Sequence, residues 1–158
     1  MTKTIAMLLP VLLMVPSAIS SASFAESGFD AYGIISTSKK HGIDPKLIYA
    51  MIKVESNWKP RIIGDQGRSN GLMQVQCATA RAIRPLKNCA DLLIGKVNVF
   101  YGVSYLRRQI DLYGRKNIKL AVAAYNSGRP IFKEGKLINS KYVDDVMHHY
   151  KNYSKARI

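Results

Sequence analysis

Apolar residues recur at helical spacing along almost the whole chain, which confines it to folds built from packed helices. Asp44 is a good N-cap and Pro45 suits the first helical position. Behind them Leu47, Ile48, Met51 and Ile52 form an i, i+1, i+4, i+5 stripe, and Trp58 and Pro60 close the segment. Val99, Val103, Leu106, Ile110 and Tyr113 follow at alternating steps of four and three, with Gly114 placed to end the helix. Ile118 to Asn126 is Ala-rich and stops at Gly128, while Ser140 is positioned to cap a last helix whose Tyr142, Val143, Val146, Met147 and Tyr150 share a face. Phe29 to Lys40 reads as a first helix, with Phe29, Tyr32 and Ile35 or Ser36 on one side, and Ala78 to Ile83 reads as a short one halted before Pro85. Residues 59–71 hold Gly64, Gly67 and Gly71 and are expected to be loop. Strand alternation never exceeds a few residues, so the expected fold is one compact, mainly α domain.

At 158 residues the chain suits a single domain. Its 24 Lys and Arg against 10 Asp and Glu give a net charge of +14, and 47% of its residues are hydrophobic. That excludes both an acidic solvating protein and a disordered basic tail. The charge points to a polyanionic partner: nucleic acid, an anionic membrane surface or an anionic polymer. The amino terminus narrows the choice. Lys3 precedes an uncharged apolar run from Ile5 to Ile19, then Ser20-Ser21-Ala22-Ser23-Phe24-Ala25. This pattern predicts a signal peptide over residues 1–25, cleaved after Ala25. Broken by Pro10 and Pro16, the run falls short of the roughly 20 residues of a spanning helix. The chain is therefore expected to be exported. Its basic pairs, Lys39-Lys40, Arg107-Arg108 and Arg115-Lys116, are scattered rather than gathered into a stripe, so no nucleic-acid partner is expected.

Cys77 and Cys89 are the two cysteines. In an oxidising compartment they suggest one disulfide; two free thiols or a metal pair are the alternatives, although the other ligands of a metal site are missing from the pattern. His41 stands beside Gly42 at a helix end, and His148 and His149 are neighbours that do not share a helix face. Neither a metal, nor a cofactor, nor His-based nucleophilic catalysis is expected.

One acid is out of place. Glu55 lies seven residues after Ile48, four after Met51 and three after Ile52, so it continues the apolar stripe. Desolvation and the negative end of the helix dipole both disfavour its ionised form there. A carboxyl kept protonated near neutral pH is what a general acid requires. The competing readings are a buried ion pair with Arg or Lys, or a side chain that reaches solvent past Trp58. Further along, Gly71-Leu72-Met73-Gln74 follows a glycine-rich loop, and Ala124-Tyr125-Asn126 ends a small-residue helix, so a phenol and two amides are available to a polar ligand.

In this order and spacing the chain resembles the lytic transglycosylases with the soluble-lytic-transglycosylase, goose-lysozyme-like catalytic domain. The residues that carry the resemblance are Glu55-Ser56, Asn57 to Pro60, Gly64 to Ser69, Gly71-Leu72-Met73-Gln74, Asn98-Val99 with Gly102 and Tyr105-Leu106, Tyr113-Gly114, Ala121 to Gly128, and Tyr142-Val143 with Val146. Residues 84–97, including Pro85 to Cys89, have no clear family counterpart. The resemblance implies a lysozyme-like α fold with a substrate groove over residues 26–158. It also implies cleavage of the β-1,4 bond between N-acetylmuramic acid and N-acetylglucosamine in peptidoglycan. Glu55 would be the single catalytic acid/base, and the product would be a 1,6-anhydromuramyl end. Ser56, Met73, Gln74, Tyr125, Asn126 and Tyr142 would surround the cleavage subsites. Small exported members look like the specialised enzymes of secretion, conjugation or pilus systems, so a periplasmic monomer acting on glycan strands is expected. A hydrolytic lysozyme with Asp65 positioning water, and a non-catalytic wall-binding protein, are the rival readings.

Overall fold

In a computed structural model of the chain, residues 30–155 are described, so the cleavage expected after Ala25 lies outside the described residues. Among them the helices are α1 Ile34–Lys40, α2 Pro45–Ser56, α3 Cys77–Ile83, α4 Gly95–Gln109, α5 Ile118–Ser127 and α6 Ser140–Lys155. Short strands β1 Ile63–Gly64, β2 Ser69–Asn70 and β3 Val75–Gln76 form an antiparallel sheet in that order, and β4 Phe132–Lys133 pairs with β5 Lys136–Leu137. The mainly α expectation is borne out.

Helix α2 runs through the middle of the domain. The Asp44 carboxylate accepts from the Lys46 amide at 2.9 Å, Pro45 occupies the first turn, and Asn57 ends the helix in the left-handed region at φ 48°. Ile48, Ala50, Met51 and Ile52 are fully buried and Leu47 nearly so. Burial of each large side chain contributes about 2 kcal/mol. The helix packs most extensively against α6, whose Val143 and Val146 are buried. Val99, Val103 and Leu106 of α4 and Val122 of α5 complete the core with no exposed surface.

Three local expectations are revised. The first helix starts later than Phe29: the Asp30 carboxylate accepts from the amides of Ile35 and Ser36, at 2.7 and 3.0 Å, and so sets the first turn of α1. Tyr32 and Gly33 are left-handed ahead of it, and Ile34 rather than Tyr32 enters the core. The fourth helix begins at Gly95, four residues before Val99. It ends in a π turn, Ile110–Gly114, instead of continuing as α-helix. The loop expected at 59–71 contains β1 and β2, whose two-residue length leaves no alternation to read. No helix among the described residues is long and apolar enough to cross a membrane.

Cys77 and Cys89 form a disulfide with their Cα atoms 5.5 Å apart. It ties the start of α3 to the 3₁₀ turn Cys89–Leu93, where Asn88 caps the Ala90 amide and Leu92 is buried. Residues 84–94, which have no helical spacing of their own, are thereby held to α3, and the Tyr101 hydroxyl of α4 donates to the Pro85 carbonyl at 3.2 Å. Closing a loop of this length constrains the unfolded chain by about 3 kcal/mol. Replacing both cysteines with Ser is expected to lower the unfolding free energy in urea by about that amount. Equal midpoints for the two proteins under oxidising conditions would contradict this.

Candidate active site

Glu55 occupies the last turn of α2, where the backbone turns away: Asn57 and Trp58 both adopt left-handed conformations, at φ 48° and 65°. The close packing of α2 on α6 brings Tyr142 beside it, and the Tyr142 hydroxyl donates to Glu55 Oε1 at 2.6 Å. Among the described residues no other donor reaches the carboxyl. Glu55 is half-buried. Burial pushes its pKa up from 4.5 to about 7, against a smaller opposing pull from the Tyr142 hydrogen bond. The phenols of Tyr142 and Tyr125 are in turn raised well above their ordinary value, first by burial and then by the Glu55 carboxylate. Both stay protonated donors.

A second layer fixes the Gly71–Gln74 segment opposite. Asn98, fully buried on α4, takes the Met73 amide on Oδ1 at 2.7 Å and donates from Nδ2 to the carbonyls of Asn70 and Leu92, at 2.7 and 2.8 Å. One amide side chain thus holds β2, the turn after it and the 3₁₀ turn together. Gly71 sits against it: a Cβ there would collide with the Leu92 carbonyl and the Asn98 amide. Gly102, one turn along α4, leaves room for the Met73 thioether, 2.5 Å from where a Cβ would stand. The Met73 carbonyl accepts from the Tyr125 hydroxyl at 2.8 Å, so α5 is joined to the same segment. Gln74 is left-handed at φ 48°, and its amide donates to the carbonyls of Gly71 and Ile62, at 2.9 and 3.3 Å. Backbone strain of this sort persists where the surroundings enforce it.

Glu55, Gln74, Tyr125 and Asn126 line one cavity of about 670 Å³, together with Asp65, Ser69, Thr79 and Tyr105 among others. The sequence pattern of the transglycosylase SLT domain matches residues 32–145. The chain belongs to the SLT transglycosylase family. It is 32% identical over 91 residues to a transglycosylase of Enterobacteria phage PRD1, across 58% of this chain and 32% of the phage protein. Its fold is similar to that of an inactive Glu-to-Gln variant of the lytic transglycosylase Slt from Pseudomonas aeruginosa. That match has a TM-score of 0.67 at 22% identity and covers 84% of this chain and 27% of the other. The 70 kDa soluble lytic transglycosylase of Escherichia coli matches with a TM-score of 0.54, also at 22% identity, over 78% of this chain and 21% of that one. The chain therefore spans about a third or less of these larger proteins.

Within this SLT domain the expected site residues do not all reach the cavity. Glu55, Gln74, Tyr125 and Asn126 line it, and Tyr142 touches the Glu55 carboxyl. Ser56 does not line it: it is buried, and its hydroxyl donates to the Ile52 carbonyl at 3.1 Å, closing the last turn of α2. Met73 is fully buried and takes part through its backbone. Asn126 is exposed and accepts on Oδ1 from Asn139 Nδ2 at 2.9 Å; the same nitrogen donates to the Ala123 carbonyl. Sequence reasoning named Asn98 and Tyr105 only as carriers of the resemblance, without a role, and passed over Asn139 and Thr79. Asn98 also carried a signal of its own, as a lone amide on the apolar side of α4. No cluster of three or more His, Cys, Asp or Glu among the described residues is placed to hold a metal ion.

A carboxyl whose folded pKa lies above its unfolded one stabilises the fold fully below the unfolded value and loses that contribution as pH rises through the folded value. For Glu55 the loss falls between 4.5 and about 7. Glu55→Gln is therefore expected to gain stability over the parent across that window, by on the order of 3 kcal/mol once complete. Urea unfolding on both sides of the window checks this. A difference between the two proteins that does not vary with pH would oppose it.

Proposed function

We propose that the chain is an exported lytic transglycosylase of peptidoglycan, cleaving the β-1,4 bond between N-acetylmuramic acid and N-acetylglucosamine. The observation that carries the reading is one desolvated carboxyl, with a pKa of about 7, held by a tyrosine at the wall of a polar cavity in an SLT domain. With Tyr142 on Oε1, the other carboxyl oxygen is left to face substrate. Protonated Glu55 donates to the glycosidic oxygen as the C1–O bond breaks. The resulting carboxylate takes the proton of the muramyl C6 hydroxyl, whose oxygen bonds to C1 and closes a 1,6-anhydro ring. One carboxyl serves as acid and then as base, and no water enters. Catalysis of this type contributes on the order of 10²- to 10⁴-fold. Tyr125 and Gln74 act as wall and floor of the substrate groove, with Asn126 at its rim.

The rival hydrolytic reading draws on Asp65, which lines the same cavity and would activate water as the second carboxylate of a glycosidase. That carboxylate already accepts from the Arg68 guanidinium at 2.7 Å and from the Gln76 amide at 3.2 Å, pinning the 3₁₀ turn Asp65–Gly67 to β3. These contacts suit a structural anchor better than a mobile base. Removal of residues 1–25 as a signal peptide would deliver the remaining domain, 26–158, to the periplasm, where the disulfide is stable. There it would act as a monomer, opening the wall locally for a secretion, conjugation or pilus apparatus.

Mass spectrometry of digested cell wall tests the reaction. Muramyl products one water lighter than those of hydrolysis are expected, with turnover falling as pH rises through about 7 and lost in Glu55→Gln. Recovery of reducing-end muramic acid alone would leave the hydrolytic reading standing. Full turnover by Glu55→Gln would remove the carboxyl from the mechanism altogether.

A further inference from the structure

Four buried side-chain atoms lack a hydrogen-bond partner among the described residues: Ser38 Oγ, Trp58 Nε1, Gln109 Oε1 and Asn139 Oδ1. Of these residues Asn139 is bonded to a side chain that lines the Glu55 cavity, that of Asn126. Asn139 immediately precedes α6, and its backbone carbonyl accepts from the Val143 amide at 3.2 Å. It therefore holds the N-cap position that the sequence assigns to Ser140. An asparagine there ordinarily turns its side-chain oxygen onto an amide of the first turn. Here the oxygen caps nothing and is the unpartnered atom. The amide nitrogen instead gives its two hydrogens to the end of α5. It donates to the Ala123 carbonyl and to Asn126 Oδ1, each at 2.9 Å, with Ser127 Oγ further off at 3.4 Å. The side chain thus forgoes the cap of its own helix for a tie to the rim of the cavity.

That tie decides which way Asn126 faces. A carbonyl only accepts, so the atom Asn139 sets against Ala123 is its nitrogen. The same nitrogen reaches Asn126, so Asn126 must meet it with oxygen. An exposed asparagine amide otherwise turns about a broad, roughly two-fold torsion and presents either end. With Oδ1 taken, Nδ2 of Asn126, which bonds to nothing among the described residues, is left to the cavity that Asn126 lines. We propose that Asn139 is a positioning residue, which locks Asn126 so that the cavity receives an amide donor and not an acceptor. The matching group on the glycan is an acceptor oxygen, of which the N-acetyl carbonyl is the strongest. This rests on the peptidoglycan reading above, since the donor needs a sugar held beside Glu55.

Asn139→Asp tests the assignment, because it replaces the nitrogen with a second oxygen at nearly the same size. A carboxylate suits the start of a helix, so α6 is not put at risk, and a thermal melt at or above that of the parent verifies it. Asn139→Ser, also a good cap but one bond shorter, takes its place should the charge prevent folding. Turnover of soluble glycan strands is measured for the full-length parent, Asn139→Asp, Asn126→Ala and the double variant. Asn139→Asp is expected to raise KM about tenfold with kcat near that of the parent. In the chain already carrying Asn126→Ala it is expected to change KM by less than about twofold, because the residue it acts through is gone. An unchanged KM, or a loss confined to kcat, overturns the inference. So does an equal loss in both backgrounds, which marks Asn139 as a packing residue, and so does an Asn126→Ala chain that keeps the KM of the parent. In all of these the parent still cleaves glycan and the catalytic reading stands. A parent that cleaves no glycan defeats the peptidoglycan reading itself and takes this inference with it.

Discussion

A carboxyl group closing an otherwise apolar helix face is the constraint around which this domain is organised. Ile48, Met51 and Ile52 require α2 to be buried, and the helical period carries Glu55 in behind them. Ionised, that carboxylate would be costly; protonated, it is tolerated, and the balance puts its pKa at about 7. Among the described residues no Arg or Lys partner relieves the cost. The chain supplies a neutral phenol, Tyr142, which orients the group while pulling its pKa down only in part. A lysine there would hold the carboxyl ionised and remove the acid. The choice of a tyrosine is thus a choice about proton affinity as much as geometry.

The opposite wall depends on a second buried polar group. Asn98 uses both ends of its amide to join three backbone segments, and Gly71 and Gly102 are small because Asn98 and Met73 occupy the space a Cβ would need. Through the Met73 carbonyl the same unit reaches Tyr125. Displacement of Asn98 would therefore be felt at β2, at the 3₁₀ turn and at α5 together, although Asn98 itself does not line the Glu55 cavity. The disulfide between Cys77 and Cys89 secures the one stretch in this region that has no helical pattern.

The parts of this arrangement that follow helical periodicity were legible in the sequence. The Asp44–Pro45 start, the buried stripe of α2 and the placement of Glu55 all follow from spacing. So does the shared face of Tyr142 with Val143 and Val146 on α6. The pairing of Tyr142 with Glu55 was not legible from spacing, because 87 residues separate them and only the packing of α2 on α6 joins them. Two-residue strands such as β1 and β2 carry no alternation, and so read as loop. The resemblance put Ser56 beside the cleavage subsites, but its hydroxyl turns back onto Ile52, as a hydroxyl in the last turn of a helix readily does. The bridging role of Asn98 and the unpaired oxygen of Gln109 escaped for a common reason. A single buried amide has no period, and its meaning lies in distant partners or in the lack of one.

Glu55 can be read most directly by following its side-chain carboxyl carbon through a pH titration by NMR in the intact chain. The desolvated site predicts a midpoint near about 7, moving higher in Tyr142→Phe as the hydrogen bond that favours the carboxylate is lost. A midpoint at the ordinary 4.5, unmoved by that substitution, would mean that the carboxyl is solvated and ionised at neutral pH. It would then have no proton to give.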